Sequence, residues 1–280
     1  MSDDNDSQTL RAVAEELAAE AATFVRTRRA EVFGTVPAAG AVQTASIQTK
    51  SSPTDPVTVV DTETERLLRE RLAERRPGDH VLGEEEGGSA VAAPGEPVWV
   101  IDPIDGTVNF VYGIEAYAVS VGVQIDGVSV AGAVANVATG ELYSGAVGHG
   151  ATVTRAGVSS PLRCNVIDDL SLALLGTGFS YESDQRRRQA AVLAALLPDV
   201  RDVRRIGSCA LDLCMVAAGR LDAYFEDGVH VWDWAAGAVI AAEAGAVLRL
   251  PEPTSDAQGA LVAAAPGVAA ALDEALARAR

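Results

Sequence analysis

Apolar residues recur at three- and four-residue intervals near the start of the chain, at Leu10, Val13, Leu17, Ala21, Phe24 and Val25. That spacing predicts a helix over 10–33, and Gly34 supplies its stop. The Ala/Gly/Pro stretch over 35–41 reads as a loop, and Ala45 and Ile47 alternate with polar residues as a strand would. Ser51 to Pro56 is turn-rich, after which Leu67, Leu68 and Leu72 mark the inner face of a helix over about 62–76, ended by Pro77-Gly78. Val81-Leu82 and Trp99-Val-Ile are apolar strands, each running into carboxylates. Strands are then predicted over 116–125, 128–137, 141–147 and 151–155, with turns at Asp126-Gly127, Thr139-Gly140 and Gly148 to Gly150. Short turns between successive strands indicate an antiparallel meander.

From residue 172 the pattern alternates. It predicts strand 172–177, helix 184–197, strand 200–206, helix 208–218, strand 221–226, helix 233–244, strands near 247 and 260, and helix 266–279. Mixed sheets layered with helices are the natural packing for such a series, an α+β fold. With no internal repeat and no Pro/Ser-rich linker, residues 1–280 read as one domain, its acidic first residues 1–7 a disordered tail.

Composition narrows the function. No stretch of 18 or more apolar residues occurs, so no membrane span is expected, and the N-terminus lacks the pattern of a signal peptide. A net charge of −17 argues against direct nucleic-acid binding, which rests on basic groups neutralising phosphates. Cys164, Cys209 and Cys214, odd in number and without a close-spaced pair, fit reduced thiols and a cytoplasmic location. Lys50 is the only lysine beside a majority of arginines.

Three acidic clusters carry the candidate chemistry. In Trp99-Val-Ile-Asp102-Pro103-Ile104-Asp105-Gly106-Thr107 a strand ends in two carboxylates, followed by a tight turn and a hydroxyl at a helix start. Carboxylates crowded in this way repel unless a divalent cation lies between them, and a helix N-terminus nearby suits a phosphate. Taken alone, the segment fits an ordinary turn equally well. Gly83-Glu84-Glu85 read alone is a solvated loop, and Asp233 ahead of the apolar stretch 235–244 reads as an N-cap. Together they place Glu84, Asp102, Asp105 and Asp233 at the ends of elements, an oxygen-only set that suits Mg²⁺ or Mn²⁺ rather than zinc.

These segments, with Lys50-Ser-Ser-Pro53, Asp61, Arg205-Ile-Gly-Ser208 and Trp232-Asp233 through Ala236-Gly237 and Glu243-Ala-Gly245, resemble the signatures of the inositol monophosphatase family over nearly the whole chain. The resemblance implies a layered αβαβα sandwich, a homodimer and a Mg²⁺-dependent, lithium-sensitive phosphatase. It implies one metal on Glu84, Asp102 and the Ile104 carbonyl, a second on Asp102, Asp105 and Asp233, and a weaker third near Glu84. Phosphate is expected on the N–H groups of Gly106 and Thr107. Thr107 and Asp61 match the pair that orients and deprotonates the attacking water, and Lys50 is an accessory candidate near the metal loop. Glu226 matches the glutamate that reads inositol hydroxyls, with Gly207, Ser208 and Cys209 lining the same side. Cys209 replaces the alanine common there, and Ala246 a frequent glycine.

The implied substrate is therefore a small phosphorylated polyol, myo-inositol 1-phosphate first. Sibling specificities stay open: fructose 1,6-bisphosphate, histidinol phosphate or a 3′-phosphoadenosine nucleotide. A nucleotide would favour an aromatic or basic pocket, for which no segment stands out. A non-catalytic interaction protein on the same fold is the remaining alternative. His80, His149 and His230 are expected to be structural or surface residues.

Overall fold

A computed structural model describes residues 6–34, 47–49, 56–251 and 259–280. Lys50 and the loops expected over 35–41 and 51–55 lie outside the described residues. Helix α1 (Ser7–Phe33) opens on Asp6, whose carboxylate accepts from the Gln8 N–H, so Ser7 belongs to the helix and not to the tail expected over 1–7. The short strands β1 (Ile47–Thr49) and β2 (Pro56–Thr58) pair antiparallel. Helix α2 (Val59–Arg75) follows, capped by Thr58.

The first large sheet holds β3 (His80–Gly83), β4 (Gly87–Gly88), β5 (Pro97–Asp105), β6 (Ala118–Ile125), β7 (Val128–Asn136), β8 (Leu142–Ala146), β9 (Ala151–Arg155) and β10 (Val158–Pro161). Its spatial order is β10-β9-β8-β7-β6-β5-β3-β4, with only β3 and β5 parallel. Between β5 and β6 lies the short helix α3 (Thr107–Tyr112). The second sheet contains β11 (Leu174–Thr177), β12 (Asp202–Arg204), β13 (Ala223–Val229), β14 (Val247–Arg249) and β15 (Gly259–Ala264), ordered β12-β11-β13-β15-β14. Helices α4 (Ser183–Leu196), α5 (Cys209–Ala217), α6 (Val231–Glu243) and α7 (Pro266–Ala279) complete the chain.

Alternation along the strands sorts these elements into five layers. Trp99 and Ile101 of β5 pack with α1 and α2, whereas Val98 and Val100 pack with α5 and α6. In the second sheet Leu261, Ala263 and Tyr224 face α5 and α6, whereas Val262, Ala264, Ala223 and Phe225 face α4 and α7. The order is α1/α2, sheet, α5/α6, sheet, α4/α7: the αβαβα sandwich. Because helices cover both faces of β5, all nine of its residues are buried, which explains its nearly unbroken apolar run.

One device sets the spacing of the middle layer. Gly122 pairs with Gly132, and Gly132 with Gly145, making a row of three glycines across β6, β7 and β8. Helix α6 lies in that trench. A methyl group at Gly132 would sit 2.7 Å from the Ala236 Cα, and one at Gly122 2.9 Å from the Ala236 nitrogen. From its other side, Leu213 of α5 fills the hollow at Gly237 of α6.

Strand β10 is absent from the sequence expectation. Its turn is Ala156-Gly157, both at positive φ, where the usual hairpin signal is Asn-Gly or Asp-Gly. All four of its residues are exposed, so no inward-facing alternation announces it.

Candidate active site

The three acidic clusters converge. β3 and β5 are parallel neighbours, with Gly83 opposite Ile101, so both strands end at the same edge. Carboxyl ends of adjacent parallel strands are where open α/β sheets gather ligands. Glu84 leaves β3 there, its N–H donating to the Ile101 carbonyl at 3.3 Å. The β5–β6 pairing is irregular between Asp102 and Asp105, and such an irregularity re-aims side chains. Asp233 arrives from the first turn of α6, its Oδ2 accepting from the His230 N–H at 2.6 Å.

Oxygens of Asp102, Asp105 and Asp233 lie within 4.8 Å of one another, and no nitrogen or sulfur belongs to that group. Burial, then the charges of Glu84, Asp105 and Asp233, push Asp102 well above the usual carboxylate range. Burial, then Asp105 and Glu84, push Asp233 up in the same way. Asp105 is raised to about 6 by burial, held back by hydrogen bonds from the Ser208 hydroxyl at 2.6 Å and the Ala210 N–H at 2.7 Å. Buried carboxylates that repel each other without a counter-charge form a cation site, and oxygen-only donors fit a hard divalent ion.

A hydroxyl–carboxylate pair flanks this group. Thr107 Oγ1 lies 3.2 Å from Asp61 Oδ1 and 3.0 Å from the Ile104 carbonyl, and can donate to either. Asp61 is fully buried in the first turn of α2, and its Oδ2 accepts from both the Thr58 N–H at 3.0 Å and the Thr58 hydroxyl at 2.5 Å. The capping role and contact with Thr107 therefore coexist in one side chain. Gly106, at φ +93°, is required where the Ala116 and Gly207 carbonyls would each lie 3.0 Å from a Cβ.

Glu84, Asp102, Ile104, Asp105, Gly106, Thr107, Gly207, Ser208, Cys209, Glu226 and Asp233 all line a single cavity of about 440 Å³. Asp61 stands behind Thr107 and outside that lining. Glu226 accepts a hydrogen bond from the Tyr224 hydroxyl, and burial raises it to about 7 against that bond and the nearby Arg205 charge.

Several contributors escaped the sequence reading. Glu65 of α2 is fully buried and accepts from the Glu85 N–H at 2.7 Å and the Glu86 N–H at 2.9 Å, while Arg69 pairs with it at 2.8 Å. It braces the loop that carries Glu84, yet in sequence it is one glutamate in a charged helix. Asp212 and Arg205 also line the cavity, as do Phe179, Tyr181, His230 and Trp232. The His230 and Trp232 rings are stacked, 4.7 Å between centroids and 13° between planes. The aromatic wall that no single segment suggested is thus assembled from two places in the chain, and His230 belongs to the site rather than to the surface.

Comparison with known proteins agrees with this geometry. The model of the inositol monophosphatase family matches residues 6–280. A Mycobacterium leprae protein named inositol-1-monophosphatase is 65% identical over 280 residues, covering 98% of this chain and 96% of that one. The Mycobacterium tuberculosis inositol-1-monophosphatase SuhB is 63% identical over 279 residues, with the same coverage of 98% and 96%. Among solved structures, Mycobacterium tuberculosis SuhB superposes with a TM-score of 0.83 at 57% identity, covering 99% of each chain.

Proposed function

This chain belongs to the inositol monophosphatase family, and from that premise we propose that it hydrolyses myo-inositol 1-phosphate, releasing inositol and inorganic phosphate. The observation that carries the substrate reading is Glu226. It is a half-buried carboxylate that lines the same cavity as the acidic cluster and accepts a hydrogen bond from Tyr224, which suits it to a polyol hydroxyl. A site built to hydrogen-bond substrate hydroxyls rejects analogues that lack them, because its polar groups are then left unpaired.

Glu84, Asp102, the Ile104 carbonyl, Asp105 and Asp233 would hold two or three Mg²⁺ ions, with Mn²⁺ as a substitute. When bound, such ions lower the pKa of water and neutralise the leaving alkoxide. The N–H groups of Gly106 and Thr107 at the start of α3 seat the phosphate. Thr107 Oγ1 accepts the proton of the attacking water and hands its own to Asp61 Oδ1, which Thr58 holds in place. Water attacks phosphorus directly. Cys209 is no nucleophile, since burial and then the charges of Glu226, Asp233 and Asp105 push its thiol far above the range where a thiolate forms. Lys50 keeps its place as an accessory residue. The same reading includes a single domain, homodimer assembly, a cytoplasmic location and inhibition by lithium.

One observation favours a second substrate class. The His230–Trp232 stack, with Phe179 and Tyr181, offers a surface on which a nucleobase can lie. Phosphate release with and without Mg²⁺ separates the readings across four substrates: myo-inositol 1-phosphate, fructose 1,6-bisphosphate, histidinol phosphate and 3′-phosphoadenosine 5′-phosphate. We expect Mg²⁺-dependent release with preference for the first. Preference for the nucleotide would move the specificity to the aromatic wall, and silence on all four with metal bound would favour an interaction protein.

A further inference from the structure

Asp212 is a buried carboxyl that neither the metal cluster nor the Thr107–Asp61 pair uses. It stands in the first turn of α5, 1% exposed, and lines the cavity that holds Glu226. Its position at a helix start invites a capping explanation, which the hydrogen bonds exclude. Ser208 Oγ already accepts from the Leu211 N–H at 3.2 Å, and Asp105 accepts from the Ala210 N–H at 2.7 Å. Asp212 Oδ1 has no hydrogen-bond partner among the described residues. A buried polar atom left in that state is costly, and its retention calls for a partner the protein alone does not provide.

The facing segment carries two glycines beside Asp212 and Glu226. Gly176 of β11 and Gly178, one residue beyond its end, lie two apart and so present the same face. A Cβ at Gly176 would sit 2.8 Å from Leu221 Cδ1, 3.1 Å from Asp212 Oδ1 and 3.2 Å from Tyr224 Cδ2, and a Cβ at Gly178 would overlap the Glu226 carboxylate. Gly178 makes room for the Glu226 carboxyl, and Gly176 lets Leu221, Asp212 and Tyr224 approach the strand together. Tyr224 pairs with Gly176 across the strands, and its hydroxyl donates to Glu226. Two carboxyls that line the cavity, Asp212 and Glu226, therefore lie near Tyr224; Glu226 accepts its hydroxyl, whereas Asp212 Oδ1 has no partner among the described residues.

We propose that Asp212 is a second hydroxyl-reading carboxyl of the substrate pocket, working beside Glu226 to take the ring hydroxyls of a polyol monophosphate. This rests on the polyol reading above and extends it to a residue with no part in the metal site. Burial, then the charges of Glu226 and Asp105, raise Asp212, with Arg205 opposing. A carboxyl held protonated both donates and accepts, as does a ring hydroxyl. Glu226 and Asp212 then discriminate a ring with neighbouring hydroxyls from an acyclic phosphate that reaches only one of them.

The test is the selectivity for myo-inositol 1-phosphate over glycerol 2-phosphate, as the ratio of kcat/KM values at saturating Mg²⁺, in wild type and Asp212→Ala, which removes both donor and acceptor. The ratio should fall on the order of tenfold, chiefly through the KM for the inositol ester. Asp212→Ser, which leaves room for a water, gives an independent comparison where the alanine variant does not fold, and thermal melting confirms that each variant is folded. A ratio that stays at the wild-type value in folded variants, whatever happens to the absolute rates, overturns the role of Asp212 and leaves the polyol reading standing. Wild type that does not hydrolyse inositol 1-phosphate overturns both.

Discussion

Raising the pH of the metal-free protein from 5 to 8 should destabilise it. Asp105 and Glu226 are raised to about 6 and about 7 in the fold, whereas in an unfolded chain they titrate near 4. At pH 5 both are largely protonated when folded and largely ionised when unfolded, so the folded state binds more protons. Stability is present at low pH and is lost as pH rises through the folded-state values. Worked from those values, the loss between pH 5 and 8 is about 1 kcal/mol for Asp105 and about 3 kcal/mol for Glu226. Together that is about 4 kcal/mol, or roughly 10 °C in melting temperature for a chain of this size. Asp102 and Asp233, raised by burial and mutual charge, act in the same direction. Scanning calorimetry of chelator-treated protein over this pH range checks the slope, and Glu226→Gln should remove most of Glu226's share. Saturating Mg²⁺ should reverse the trend, because the metal binds the deprotonated carboxylates and so stabilises the fold more at pH 8 than at pH 5. A metal-free melting temperature that is flat or rises with pH would refute the account of a cluster held together against its own charge.

Three other perturbations bear on separate parts of the site. Thr107→Ala removes the hydroxyl that links Asp61 to the cavity and should lower kcat on the order of a hundredfold with little change in melting temperature, measured by phosphate release. Glu65→Ala leaves the Glu85 and Glu86 N–H groups and Arg69 without their acceptor. It should cost about 3 kcal/mol and weaken Mg²⁺ binding on the order of tenfold, by calorimetric titration. Gly132→Ala drives a methyl into the α6 backbone; a loss of about 1–3 kcal/mol is expected by denaturant unfolding, with weakened metal binding because α6 carries Asp233.

The elements with one strong period were legible from the chain itself. Leu10, Leu17, Ala21 and Val25 of α1 are all buried, as their spacing requires, and the Asp126-Gly127 hairpin has both residues at positive φ. The carboxylates that the fold brings together, Asp102, Asp105 and Asp233, were legible because strand ends and helix starts are marked locally by Gly, Pro and Asp. What was hidden depends on register and tertiary neighbours. Gly122, Gly132 and Gly145 look unremarkable until pairing aligns them under α6. Asp212 sits in an otherwise apolar helix and shows its unmet hydrogen bond only when β11 is laid against it. His230, Trp232, Phe179 and Tyr181 come together only as the lining of one cavity. β10 lacked both an inward face and a standard turn pair, so nothing in its own residues distinguished it from loop.

The layering has a consequence for the order in which the chain is made. The first large sheet is covered on one side by α1 and α2, which precede it in sequence, and on the other by α5 and α6, which follow it. Synthesis at about 5–20 residues per second delivers Asp233 on the order of 10 s after Asp105, some 130 residues earlier in the chain. In that interval Glu84, Asp102 and Asp105 have been made with Asp233 still to come, and the inner face of the sheet, Val98, Val100 and Val134 among others, lacks α6. That is an apolar surface of the kind chaperones shield. Helix α6 both covers that face and carries Asp233, so the layer that buries the sheet's apolar side is also the one that completes the acidic cluster.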